Sequence, residues 1–72
     1  MTAPKIRLQL AAKLKRERTR AKLTQEDMAE LVGVSTRFYQ MLESKKPTAI
    51  PVDTLEKLAK ALKTTPSQLL NF

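Results

Sequence analysis

In TQEDMAELVGVSTRFYQMLE, the stretch from Thr24 to Glu43, the side chains equipped for chemistry are cationic and hydrogen-bonding rather than nucleophilic. Ser35, Thr36, Arg37 and Gln40 share the outward face of one short helical segment, and Lys45 and Lys46 follow it. An arginine near the start of a helix can bond guanine O6 and N7 together, which no other base pair offers, and it can equally hold a phosphate. Thr36 suits a thymine methyl and Gln40 an adenine edge, although plain solvation fits both. Lys45 and Lys46 have the same two options, phosphate or water. Gln25 opens the preceding helix, where an amide can add its donor to the free backbone N–H groups that attract anions.

Composition closes off most other chemistry. The 72 residues include no Cys and no His, so a thiol nucleophile, an imidazole base and the usual zinc ligands are all missing. A single Gly excludes phosphate-cradling loops that need two or more. No enzyme and no cofactor is expected. Lys and Arg total 14 against 7 Asp and Glu, a net charge of +7, which favours a polyanionic partner. The bases concentrate in Lys5 to Lys22, where Glu17 is the one acid, and return at Arg37, Lys45 and Lys46.

Every convincing apolar period is helical, so the fold expected is all-α, one domain over 1–72 built as a compact bundle of four to five short helices. Ile6, Leu10 and Leu14 recur at a spacing of four, with Ala21 extending the stripe beyond Arg18, and place a first helix from about Pro4 to Ala21. Thr24 with Asp27 forms an N-cap and box for a second helix, whose apolar face is Met28, Leu31 and Val32 and whose stop is Gly33. Ser35 caps a third helix carrying Phe38, Tyr39, Met41 and Leu42 up to about Ser44. Pro51 suits the first turn of a fourth, with Leu55, Leu58, Ala59 and Leu62 at core spacing. Thr65-Pro66-Ser67-Gln68 repeats the cap, proline and box-glutamine pattern for a short fifth helix through Leu70. A chain of this size buries only about 60% of its unfolded surface, so there is one core and none to spare.

The second and third helices meet at Gly33-Val34-Ser35, a turn too tight for parallel or antiparallel packing. Small Ala29 allows a close crossing and Val34 fills the angle, which is the layout of a helix-turn-helix whose second helix enters a DNA major groove. On this stretch the chain resembles the lambda-repressor-like (Cro/XRE-type) helix-turn-helix family. The resemblance runs from Leu10 to Leu70 and rests on Leu14, Arg18, Leu23-Thr24-Gln25, Met28-Ala29, Gly33-Val34-Ser35 and Leu42-Glu43. It continues through Thr54-Leu55, Lys57-Leu58-Ala59, Ala61-Leu62 and Leu69.

The resemblance implies a cytoplasmic, nucleoid-associated transcriptional regulator, a repressor or controller protein that binds a two-fold operator in double-stranded DNA as a homodimer. An antitoxin-type subunit that neutralises a partner toxin is the alternative. Ser35, Thr36, Arg37 and Gln40 become base contacts and Gln25, Lys45 and Lys46 phosphate contacts. Arg18 and Glu43 become a buried ion pair joining the first helix to the third, which would explain why Arg18 interrupts an apolar stripe. Tyr39 falls on a family core position, while the side taken by Phe38 stays open. Lys22, Lys45 and Lys63 depart from the pattern, standing where the family often has Gly, and each left-handed lysine would cost about 1 kcal/mol. The basic, amphipathic N-terminal stretch MTAPKIRLQLAAKLKRERTRAK also fits a targeting or membrane-surface segment, except that removing it would delete Leu14 and Arg18.

Overall fold

In the computed structural model, which describes residues 4–72, these periods become helices α1 (Lys5–Arg20), α2 (Gln25–Val32), α3 (Thr36–Leu42), α4 (Val52–Ala61) and α5 (Pro66–Leu69). No strand occurs among the described residues, and none of their helices is long and apolar enough to cross a membrane. Met1 to Ala3, the start of the basic N-terminal stretch, lie outside them. From Lys5 onward that stretch is α1, and its Leu10, Ala11 and Leu14 are buried.

The starts of the helices follow local chemistry. Thr24 and Asp27 exchange bonds, Asp27 N–H to Thr24 Oγ1 at 3.0 Å and Thr24 N–H to Asp27 Oδ2 at 2.9 Å. These bonds from Thr24, the backbone one foremost, hold the Asp27 carboxyl below its ordinary value. Ser35 Oγ accepts from Phe38 N–H at 3.0 Å, and Thr65 Oγ1 accepts from Gln68 N–H at 3.3 Å. Two details differ from the sequence pattern. Gln68 takes the Thr64 hydroxyl instead of closing the box on Thr65, and Pro51 occupies the cap position of α4, one residue before its first turn.

The core is Leu10 and Leu14 of α1, Met28, Ala29 and Val32 of α2, Tyr39 and Leu42 of α3, Leu58 and Ala59 of α4, and Leu69 of α5. Helix α2 packs on α3 and α4, and α5 bridges α4 to α1. Fully burying each large apolar side chain contributes about 1.5–3 kcal/mol. Four residues expected on apolar faces lie outside: Ile6, Ala21, Leu31 and Met41. In the α1 stripe the cause is geometric. At about 100° per residue, a spacing of four advances about 40° per step, so a run from Ile6 to Arg18 cannot stay on one line. Leu31 and Met41 fall on the sides of short helices that no further element covers.

Three helices end in left-handed residues, Lys22 (φ 61°), Gly33 (φ 82°) and Lys63 (φ 57°). Each is followed by an N–H that reaches back five residues: Leu23 to Arg18 O at 3.1 Å, Val34 to Ala29 O and Thr64 to Ala59 O, both at 2.9 Å. Lys45 is not among them. There the chain turns on Ser44, whose hydroxyl donates to Met41 O at 2.8 Å and accepts from Lys46 N–H at 3.3 Å. Helix α3 accordingly stops at Leu42, before Ser44. Lys22→Gly and Lys63→Gly should therefore each raise stability by up to about 1 kcal/mol in urea melts, part of the relief being offset by the freer unfolded chain. Lys45→Gly, with no left-handed backbone to relieve, should give no gain.

Candidate nucleic-acid interface

The turn between α2 and α3 is built by three consecutive residues with three different tasks. Gly33 takes the positive φ, Val34 packs half-buried against the core, and Ser35 returns to extended backbone (φ −70°, ψ 152°) and caps α3. Gly33 N–H and Val34 N–H both donate to Ala29 O at 2.9 Å, so the carbonyl of Ala29 closes the turn. The Ala29 side chain is buried where a larger one would hold the two helices apart.

Helix α3 is divided lengthwise. Tyr39 and Leu42 are fully buried, and Phe38 is half-buried against the core. Ser35, Arg37 and Gln40 are exposed and Thr36 half-exposed. The Ser35 hydroxyl oxygen is engaged as the cap of α3, leaving its O–H free to donate. Lys45 and Lys46 lie exposed in the turn that follows α3.

Beneath this surface α1 is tied to α3. Arg18 Nε donates to Glu43 Oε2 at 2.7 Å and Arg18 Nη2 to Glu43 Oε1 at 3.1 Å, a two-point pairing of guanidinium with carboxylate. The Glu43 side chain is 2% exposed and that of Arg18 13%. The third arm, Arg18 Nη1, donates to Leu23 O at 2.7 Å. Because Leu23 N–H in turn donates to Arg18 O, the left-handed turn at Lys22 aims the Leu23 carbonyl at the guanidinium. Gln25 joins from the start of α2, its Nε2 donating to Glu43 Oε1 at 3.3 Å. Burial alone would raise the Glu43 carboxyl, but Arg18 foremost, then the neighbouring Tyr39 phenol and the Gln25 amide, hold it below its ordinary 4.5. Glu43 in turn raises the Arg18 guanidinium. Burial, with the Glu43 charge beside it, raises the Tyr39 phenol, whose hydroxyl is enclosed without a hydrogen-bond partner.

Two partners in this cluster, the Leu23 carbonyl and the Gln25 amide, were not legible in the residue types. A backbone carbonyl has no sequence signature, and Gln25 lies eighteen positions from Glu43. Gln25 is neither a free surface glutamine nor wholly available to a ligand: one amide N–H is engaged and a second remains. The α1 bases are also partly committed, since Lys13 and Arg20 pair with Glu17 at 3.6 and 3.8 Å.

The assembly offers a cationic and amide-bearing ridge on α3 and its following turn, held against α2 by the turn and against α1 by the ion pair. It is about one helix wide, the size a DNA major groove of about 12 Å accepts.

Comparison with known proteins agrees with this geometry. The model of a helix-turn-helix family matches residues 14–69. The clp gene regulator ClgR from Corynebacterium glutamicum is 25% identical and superimposes with a TM-score of 0.86 over 93% of this chain and 70% of that one. The restriction-modification controller protein C.AhdI from Aeromonas hydrophila is 27% identical, with a TM-score of 0.82 over 88% and 94%. The hypothetical transcription factor NHTF from Neisseria is 28% identical, with a TM-score of 0.84 over 96% and 84%. No curated protein matches the sequence.

Proposed function

This chain belongs to the Cro/C1-type helix-turn-helix family of DNA-binding transcription regulators, and from that membership we propose that it reads a two-fold operator in double-stranded DNA as a homodimer, as a repressor or controller protein. The observation that carries the proposal is the lengthwise division of α3. Its inner side is locked by Tyr39, Leu42 and the Glu43 ion pair, while Arg37 and Gln40 stand outward. A recognition helix needs this rigidity, because base edges are discriminated only by donors held at fixed positions.

In this proposal Arg37, Gln40, Thr36 and Ser35 meet base edges, and Lys45 and Lys46 meet phosphates. Gln25 gives its remaining N–H to a phosphate while its other holds Glu43. One amide would then link the backbone of the duplex to the ion pair that sets α3.

A two-fold operator requires a second copy. Leu69, one of the apolar residues at the end of the sequence, is core, whereas Leu70 and Phe72 are exposed by 41% and 47%. Leu70 borders a cavity of about 240 Å³ lined also by Ile6, Leu10, Leu42, Pro47 and Ile50. This apolar surface supports a dimer contact, whose burial would favour association.

Selection of binding sites from random duplex DNA tests the whole. Inverted repeats with half-sites about one helical turn apart are expected, and Leu70→Ser with Phe72→Ser should weaken cooperative binding to them. Enrichment of a lone half-site bound by monomer at full affinity would overturn the dimer, and no enrichment at all would overturn sequence-specific reading.

A further inference from the structure

Leu31 is 58% exposed on α2 and sits where two depressions meet. One is shallow and is bounded by Leu23, Asp27, Glu30 and Leu31. The other, a groove of about 890 Å³, has Leu23, Leu31 and Leu62 among its apolar residues and Lys57, Lys60 and Lys63 from the α4 side. Spacings of three and four put Asp27, Glu30 and Leu31 on one face of α2, a spacing of three puts Lys57 and Lys60 on one face of α4, and Lys63 follows in the left-handed turn at its end. An apolar centre is therefore flanked by acid on the α2 side and by base on the α4 side.

We infer that this face binds the same face of a second copy, Leu31 against Leu31, with the α2 acids of each copy over the α4 lysines of the other. A two-fold rotation about an axis in the contact plane, perpendicular to the acid–base direction, produces this match at both ends at once. The charge pattern selects the register. Turning one face by half a turn would set lysine over lysine. None of Gln25, Ser35, Thr36, Arg37, Gln40, Lys45 and Lys46 lines either depression, so the residues that make the pairing are distinct from those proposed to face DNA. It is also separate from the cavity beside Leu70, so the two contacts together link dimers to one another.

Charge reversal in mixtures of tagged and untagged protein, without DNA and at one salt concentration, tests the pairing by equilibrium capture. Glu30→Lys mixed with itself sets base over base, and the double variant Lys57→Glu with Lys60→Glu mixed with itself sets acid over acid. Each should associate at least about tenfold more weakly than the original protein. Crossing the two variants restores opposite charges at both ends and should regain the loss, and Leu31→Asn added to either partner should weaken the cross again. Contact through Leu70 and Phe72 is the same in every mixture, so equal capture in self and crossed mixtures would overturn the inference. Milder substitutions, Glu30→Gln and Lys57→Ala, should weaken self-association in the same direction by smaller steps. An unchanged association in both would also overturn it. Because no DNA is present, these outcomes are independent of operator binding.

Discussion

Arg18→Ala and Glu43→Ala are each expected to destabilise the fold by about 3–5 kcal/mol, the range for stranding one half of a buried ion pair. The two losses should be unequal. Without Arg18, the Glu43 carboxylate, 2% exposed, keeps only uncharged neighbours, the Tyr39 phenol and the Gln25 amide, and it sits at the C-terminal end of α3 where the helix dipole also opposes negative charge. Without Glu43, the Arg18 guanidinium is 13% exposed and retains the Leu23 carbonyl. Arg18→Ala should therefore cost more. Urea melts of both singles and the double should show the double losing less than the sum, since the second deletion removes the stranded charge. Near-zero effects for both singles would mean that the pair contributes nothing to stability.

The same pair sets a pH dependence whose sign follows from Glu43. Its folded carboxyl lies below the ordinary 4.5, so its contribution is present above about that pH and is lost as the pH falls through the lower folded value. In Arg18→Ala the burial remains while the charged donor is gone, so the carboxyl should titrate higher than in the original protein. That variant should then recover stability relative to the original protein on acidification, because its stranded carboxylate can be neutralised by a proton. Melts from neutral pH to below 4.5 should show the gap narrowing. A gap that widens over this range would contradict the assignment of donors to Glu43.

Arg37→Ala is expected to cost about 1–3 kcal/mol in binding to the selected operator and to relax preference at one base pair per half-site. Gln25→Ala should instead weaken specific and random DNA by similar factors, since phosphates are the same in every sequence. Because Gln25 also holds Glu43, its variant should melt slightly earlier, and that shift has to be measured before the binding loss is assigned. All comparisons belong at one salt concentration, because losing a phosphate-bound cation lowers affinity for every sequence. A uniform loss for Arg37→Ala, with the salt slope reduced by about one unit, would make Arg37 a phosphate clamp. Base reading would then pass to Ser35, Thr36 and Gln40.

Much of this protein was determined by local chemistry that residue types display. Thr24 with Asp27, Gly33, Ser35, and Thr65 before Pro66 mark where helices start and stop, because capping depends on atoms within a few residues of one another. Gly33-Val34-Ser35 with Ala29 is legible for the same reason. The strained sites at Lys22 and Lys63 were located through the family resemblance, as positions where glycine is common, and the same comparison also pointed to Lys45, which is not left-handed. What the tertiary structure decided is which side of each element found a neighbour. Leu31 and Met41 carry the same apolar signal as Val32 and Leu42, yet only the latter two are covered, because coverage depends on where α1, α4 and α5 pass and not on the helix itself. The turn at Lys45 is closed by the Ser44 hydroxyl and not by left-handed backbone. The Arg18 cluster shows the division most plainly. Its charges announce that a partner is required, but the Leu23 carbonyl and the Gln25 amide become partners only when α1, α2 and α3 converge on one buried point.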